Sequence, residues 1–205
     1  MKKGIKIPFL HNEEIEKKAN SFRDKIWDGS LPIDIERILD VKLKFDIIPV
    51  PNLYKLCGID AMIASNWQFI YVDKLGFEDE RCQNRLRFSL AHELGHFILH
   101  KDVYTSFGVE EFQDFLKLFE KISNKEYGYL EIQANKFANC FLLPRDILRV
   151  KREGLIKELK KDPLLKENIL FQKIDEKTFN SYLAIPIAKI FNVSQQAACI
   201  ALGDI

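Results

Sequence analysis

Residues 87–100 read RFSLAHELGHFILH, and they enclose the pentapeptide HELGH at 92–96. Side chains four residues apart lie on one face of a helix, so His92 and His96 can direct a ring nitrogen at the same ion. Glu93 lies one step further round, too far to share that ion but within reach of an attacking water, which is the position of a general base. The pentapeptide predicts a catalytic metal site. The alternative is a structural pair of histidines in an apolar helix.

The third ligand of such a site has to come from elsewhere in the chain, because catalytic zinc sites use three protein ligands. The metzincin extension would require Gly at 99 and His at 102, and Leu99 and Asp102 exclude it. The other common arrangement takes a carboxylate from a second helix. Glu131 fits this arrangement, because Ala134 and Ala138 lie on or beside its face of a predicted helix and let a short carboxylate approach the metal.

The spacing of apolar residues places the motif helix between a small sheet and further helices. Period-two alternation predicts three strands, at 41–50, 58–65 and 67–74. Helical periodicity covers 13–28, 32–39, 78–100, 109–122, 127–142 and most of 145–205. These elements predict an α+β protein in which a small antiparallel three-stranded sheet packs on the motif helix. We expect a core over 1–145 and a helical C-terminal region over 146–205 packed on it.

Composition and charge favour an ordinary globular protein of the cytoplasm. Hydrophobic residues make up 47% of the chain and charged residues 30%, and the formal net charge of +1 gives no indication of nucleic acid or an anionic membrane as partner. We expect no signal peptide and no membrane span, because no apolar run reaches the required length. The four cysteines lack C-x-x-C spacing and are expected to be reduced: Cys57, Cys82, Cys140 and Cys199.

The two predicted helices together resemble the ImmA/IrrE family of small intracellular metallopeptidases. RFSLAHELGHFILH at 87–100 is followed by EIQANKFANCFLLP at 131–144, and the family has an HExxH helix followed by a helix of the form E-x-x-A-N-x-F-A-x-x-L-L-x-P. Phe141 is the one departure, at a position where the family more often has Leu. The preceding sheet and the segment IAKIFNVSQQAACIALG at 187–203 extend the resemblance to roughly residues 30–203.

The resemblance implies a zincin-like, gluzincin-type hydrolase with one zinc ion. Its ligands would be His92, His96 and Glu131, and Glu93 would activate water. A site with these ligands also accepts Mn²⁺ or Co²⁺.

The sequence does not assign two further roles, that of the oxyanion donor and that of the group that orients a metal ligand. His100, Tyr127 and Tyr129 are candidates for the group that stabilises the oxyanion of the transition state. His100 and Tyr127 could instead support a metal ligand from behind. His100 could also supply a fourth ligand or close its helix, and the tyrosines could serve in packing. Asn135 is a candidate for orienting a ligand or a substrate strand.

The family resemblance also implies the substrate, a helix-turn-helix transcriptional repressor of a mobile element or a stress response, cleaved by the protease in the cytoplasm. In the alternative, the chain is an anti-repressor or a toxin–antitoxin component that binds its partner with the metal in place and does not cut. Direct DNA binding is not expected, because the helix that starts at Gln195 and Gln196 carries no positive charge.

Overall fold

The computed structural model describes residues 7–64, 66–107, 122–162 and 174–205. The chain forms two compact units, Met1–Phe141 and Leu142–Ile205. The helix predicted over 109–122 lies outside the described residues except at its last position, and so does the part of the predicted C-terminal helical region at 163–173.

The first unit combines helices with a small sheet. In chain order its elements are α1 (Asn12–Ile26), α2 (Ile35–Arg37) with a π-helical turn (Ile38–Lys42), β1 (Asp46–Val50), α3 (Leu53–Cys57), β2 (Ala61–Ile63), β3 (Phe69–Asp73), α4 (Lys74–Glu78), α5 (Gln83–Leu99), α6 (Lys101–Phe107) and α7 (Asn124–Leu142). Helix α1 buries Ile15 and Ala19, and it has acidic residues in its first turn and basic residues in its last, which the helix dipole favours.

The sheet is mixed, with the strand order β1–β3–β2. Strand β2 pairs antiparallel with β3, with Ala61 opposite Val72. Strand β1 lies on the other side of β3 and runs parallel to it, with Asp46 opposite Phe69. The prediction of an all-antiparallel sheet is therefore wrong for β1. Parallel neighbours need a crossover connection, and the segment that contains α3 and β2 provides it.

Strand β1 is also shorter than the alternation over 41–50 predicts. The chain before it is the π-helical turn Ile38–Lys42, and Lys44 then adopts a positive φ of 64°. Val41 is 50% exposed and does not join the core. Alternation of apolar and polar residues over this stretch imitated a strand, because a tight helical turn also places single apolar residues on its inner side.

The motif helix α5 begins later than predicted. Helix α4 ends at Glu78, and Asp79 then accepts a hydrogen bond from the backbone N–H of Arg81 and starts a short 3-10 turn before α5. Strand β2 lies against α5, where the backbone N–H of Ile63 donates to Glu93. The predicted fold class, α+β with a small sheet on the motif helix, is confirmed.

The second unit is helical, as predicted, with α8 (Arg145–Leu159), α9 (Glu176–Phe191) and α10 (Gln195–Gly203). The side chains of Asp175 and Ser194 accept backbone hydrogen bonds at the start of α9 and α10, and Asn192 ends α9 in the left-handed region with a φ of 51°. Arg145 and Asp204 form an ion pair of 2.7 Å between the start of α8 and the residue after α10.

Among the described residues, no single helix is both long enough and apolar enough to cross a membrane. The pair α9 and α10, bent by 116° at its break, meets the requirement only as a pair and by length and composition alone.

Candidate metal centre

A close approach of α5 and α7 builds the site. A Cβ placed on Gly95 would lie 3.1 Å from the carbonyl oxygen of Ala134 and 3.2 Å from its Cα, so only glycine lets the two helices come this near without displacement. Ala134 and Ala138 are fully buried. The small residues on both helices therefore bring Glu131, one turn before Ala134, opposite the histidines of α5.

The structure brings His92, His96 and Glu131 together in one group. One potential ligand atom from each residue lies within 4.8 Å of the others. The Nε2 atoms of His92 and His96 are 2.9 Å apart. Glu131 places one carboxylate oxygen 3.3 Å from Nε2 of His92 and the other 3.5 Å from Nε2 of His96.

This donor set fits a zinc ion. Two imidazole nitrogens and a carboxylate are the protein ligands of one class of catalytic zinc site. Around a tetrahedral ion with bonds of about 2.0–2.1 Å, neighbouring ligand atoms are about 3.3 Å apart, and the separations of 2.9, 3.3 and 3.5 Å lie on both sides of that value.

The hydrogen bond behind His92 also favours a cation in the group. Oδ1 of Asn135 lies 2.9 Å from Nδ1 of His92, and because this oxygen can only accept, Nδ1 carries the hydrogen. In a neutral His92 the other nitrogen, Nε2, then directs a lone pair at His96 and Glu131. A cation between these atoms, or the proton that His92 keeps without a metal, offsets the repulsion of the converging lone pairs.

The two histidines differ in their electrostatic environment. Burial opposes the charged form of His92, but the hydrogen bond with Glu131 and the charges of Glu93 and Glu131 outweigh it and raise the pKa of His92 to about 9. Burial lowers the pKa of His96 despite its contact with Glu131. Burial also favours the neutral form of Glu131, yet its hydrogen bonds with the two histidines hold its pKa well below the usual range.

Glu93 is buried beside this group and is held by the sheet. It is 7% exposed, and one carboxylate oxygen accepts a hydrogen bond of 2.8 Å from the backbone N–H of Ile63. Burial raises the pKa of Glu93 to about 7, although the charge of His92 and the bond from Ile63 act in the opposite direction. A carboxyl group with this pKa can accept and return a proton near neutral pH.

A cavity of about 200 Å³ opens onto these residues. His92, Glu93, His96, Tyr127, Glu131 and Asn135 all contribute to its lining, as does the strand end at Ala61. Burial raises the pKa of Tyr127, and the charge of Glu131 adds to the effect, so its phenol keeps its proton and remains a hydrogen-bond donor.

His100, which the sequence made a candidate for oxyanion stabilisation or a fourth ligand, does not line the cavity. It is 2% exposed, and its Nδ1 is 3.1 Å from Nδ1 of His96. That atom of His96 is on the opposite edge of the ring from Nε2, so His100 is not directed at the group of three. Its Nε2 lies 2.9 Å from Oε1 of Gln133, and Nε2 of Gln133 donates to the carbonyl oxygen of Pro8 at 2.9 Å. Burial lowers the pKa of His100 to about 3, and the charge of His96 adds to the effect.

The motifs did not indicate that Gln133, Ile63 or Pro8 contribute to the site. Gln133 lies two positions after Glu131, on a part of the helix that the pattern of small residues does not include. Ile63 contributes only its backbone N–H, and Pro8 only its carbonyl group. Backbone groups and contacts over a long sequence separation leave no local spacing by which they can be recognised.

Two adjoining helices that supply two histidines and a glutamate, next to a buried carboxyl group in a cavity, define a metallopeptidase-type domain. Residues 80–202 match the peptidase M78 family, described as the IrrE N-terminal-like domain, and the chain belongs to this family. The family predicted from the two helix motifs is thereby confirmed.

The fold is shared with a solved structure described as a Mycobacterium tuberculosis transcriptional regulator. The TM-score is 0.51 at 15% sequence identity, and the match covers 93% of this chain and 46% of the other. The chain thus spans about half the length of that regulator, and at this identity the likeness concerns the fold alone. No curated protein matches the sequence significantly.

Proposed function

We propose that the protein is a zinc-dependent endopeptidase that cleaves one specific intracellular protein. The observation that carries the proposal is the convergence of His92, His96 and Glu131 on one point, with the buried carboxyl group of Glu93 beside them at the cavity. A purely structural zinc site has four protein ligands and no use for a buried acid of raised pKa next to it.

His92, His96 and Glu131 are the residues that would hold the ion, and zinc is the metal that this donor set fits best. When bound in such a site, zinc lowers the pKa of a coordinated water to about 7 and polarises the carbonyl group of the scissile peptide bond. Mn²⁺ or Co²⁺ can replace it where zinc is scarce.

Glu93 is the general base of the proposed reaction. Its carboxylate takes a proton from the attacking water, and the neutral carboxylic acid then gives that proton to the leaving amine. The hydrogen bond from Ile63 fixes one oxygen, so the other is free to exchange the proton. The pKa of about 7 suits both halves of the exchange, because the two protonation states differ little in free energy near neutral pH.

Tyr127 is the proposed donor for the developing oxyanion, and in the metal-free protein its phenol is hydrogen-bonded with Glu131. It lines the cavity beside Glu131, and its phenol keeps its proton. His100 lies outside the lining and serves another role. Asn135 keeps the ring of His92 in place by accepting the hydrogen at Nδ1.

The substrate class comes from the family to which the chain belongs. We propose a helix-turn-helix transcriptional repressor of a mobile element or a stress response as the substrate, and the cytoplasm as the compartment. The likeness of the fold to a protein described as a transcriptional regulator is in keeping with a role in gene control.

Co-expression with the repressor encoded nearest to the gene tests this function. We expect the wild-type protein to yield a shortened repressor in mass spectrometry, and Glu93→Gln to yield the intact repressor. Glu78→Gln changes a solvent-exposed glutamate outside the site and is the matched control. If the repressor stays whole and leaves its operator with both wild type and Glu93→Gln, the chain is a binding module and the peptidase assignment is wrong.

A further inference from the structure

A continuous line of buried polar groups runs away from the metal centre on the side opposite the cavity. It starts at Nδ1 of His96, passes through the ring of His100 and the amide of Gln133, and ends at the carbonyl group of Pro8, with successive distances of 3.1, 2.9 and 2.9 Å. His96, His100 and Gln133 are 1%, 2% and 4% exposed. Water therefore has no room to replace any of these side chains as a hydrogen-bond partner.

The end of this line fixes the direction of its bonds as far as His100, and a neutral His100 then fixes the last bond, to His96. The carbonyl oxygen of Pro8 can only accept, so Nε2 of Gln133 donates and Oε1 of Gln133 is left to accept. Nε2 of His100 must then carry a hydrogen and donate to Gln133. A neutral His100 with its hydrogen on Nε2 has a bare Nδ1, which accepts the hydrogen on Nδ1 of His96.

These bond directions determine the tautomer of the metal ligand His96. A His96 ring that carries its hydrogen on Nδ1 presents the lone pair of Nε2 to His92 and Glu131. We propose that His100 and Gln133 are positioning residues, which hold His96 in the tautomer and orientation that bind the metal. The inference rests on the proposed metal site and deepens it.

The hydrogen-bond partner of Nδ1 of His96 is an unusual one for a metal-binding histidine. A metal-bound histidine most often donates its second hydrogen to a carboxylate, a backbone carbonyl or water. Here a neutral imidazole accepts it, and the amide of Gln133 keeps that imidazole from turning. The line supplies orientation without adding a negative charge, so Glu131 remains the charged ligand of the group.

Zinc affinity measured by competition with a fluorescent chelator tests the inference without any substrate. His100→Phe keeps the size of the ring and removes both nitrogens, and we expect it to weaken zinc binding about 10–100-fold, as is typical for partners of ligand histidines. His100→Asn places an acceptor near the position of Nδ1 and should recover most of the loss. Gln133→Leu leaves His100 in place without its partner and should fall between wild type and His100→Phe.

The remaining histidine of the chain offers a matched control. His11 is exposed and lies outside the metal centre, and His11→Asn should bind zinc as wild type does. Circular dichroism of the zinc-free proteins identifies a variant that has not folded. An affinity of His100→Phe equal to that of wild type, in a folded protein, would overturn the inference.

A second measurement uses the unchanged protein and cannot be confused by misfolding. Long-range ¹H–¹⁵N correlation spectra of zinc-loaded protein report the tautomer of each of the four histidines. We expect His100 to carry its hydrogen on Nε2 and His96 on Nδ1, and His100 protonated on Nδ1 alone would contradict the proposed direction. If wild type binds no zinc at all, the proposed function fails. If it binds zinc but is indifferent to His100, only this inference fails.

Discussion

The metal centre has two sides, one at the cavity and one in the interior of the first unit. The side that we call the cavity side consists of His92, Glu93, Asn135 and Tyr127, which line an open cavity. The buried side consists of His100, Gln133 and the Nδ1 edge of His96, whose ring also contributes to the cavity lining, and all three residues are at most 4% exposed. His92 has a pKa raised to about 9, whereas burial lowers the pKa values of His96 and His100.

The difference teaches how the two tasks of such a centre are divided. Under the proposed function, groups on the cavity side would meet the substrate and exchange protons, so we expect them to determine the rate of the reaction. Groups on the buried side are held by directional hydrogen bonds, so we expect them to determine how tightly the metal is held. Substitutions on the two sides should therefore have separable effects on the rate and on the zinc affinity.

The largest effect is expected from Glu93→Gln, on the cavity side. Loss of the base should reduce the rate of repressor cleavage by about 10²–10⁴-fold, while the zinc content stays at one ion per chain because Glu93 is not a ligand. Cleavage followed by intact-mass spectrometry and zinc measured by elemental mass spectrometry check both numbers. A variant that loses zinc together with activity would show that the two sides are not separable.

The second-largest effect is expected from substitution of Glu131, which contacts both His92 and His96. Glu131→Gln removes the negative charge from the group, and we expect zinc affinity to fall by more than the roughly 10–100-fold typical of residues that only orient a ligand. Competition with a chelator measures the loss. Glu13→Gln, at an exposed position of α1, serves as the control and should bind zinc unchanged. Affinity equal to wild type would remove Glu131 from the ligand set.

The pH dependence of zinc binding distinguishes the two histidines. The raised pKa of about 9 means that metal-free His92 keeps a proton that zinc must displace, whereas His96, with its lowered pKa, has none to lose. Zinc affinity should therefore rise about tenfold per pH unit from about pH 7 toward the pKa of His92 and level off above it. A titration of zinc affinity against pH checks the slope. A slope of two protons would mean that the buried histidine is also charged.

The smallest effect concerns the contact of α5 with α7 that joins the two sides. A Cβ on Gly95 meets the backbone of Ala134 at 3.1 Å, so Gly95→Ala should push the helices apart, destabilise the fold by about 1 kcal/mol and weaken zinc binding. At Gly128 on α7 an added Cβ meets nothing within 4 Å, and Gly128→Ala should instead stabilise by about 0.5–1 kcal/mol. Urea unfolding measures both values, and a stabilising Gly95→Ala would contradict the close approach.

Sequence reasoning anticipated the features that local spacing encodes. Residues four apart on a helix predicted that His92 and His96 face one point, and the small residues around Glu131 predicted a helix that could come close to them. The structure places these three residues in one group. The α+β class followed from the change of period between the sheet and the helices.

The features that the sequence did not reveal depend on pairing across the chain. Nothing in the spacing of β1 tells whether it runs parallel or antiparallel to β3, because that depends on which side of β3 it joins. In the same way, His100 meets Gln133, 33 positions later, only because α5 and α7 are packed together. The sequence left His100 open between the reaction, the support of a ligand, a fourth ligand and the closing of its helix, and the structure places it in the interior, outside the cavity lining.

Removal and return of the metal tests the central claim most directly. Purified wild-type protein, stripped of metal with a chelator, is mixed with the purified repressor and followed by intact-mass spectrometry before and after one equivalent of zinc is added. The account predicts an intact repressor without zinc and two fragments of complementary mass once zinc is returned. Fragments at an equal rate in the stripped protein, or a repressor that stays whole in the zinc-loaded protein while it leaves its operator, would contradict it.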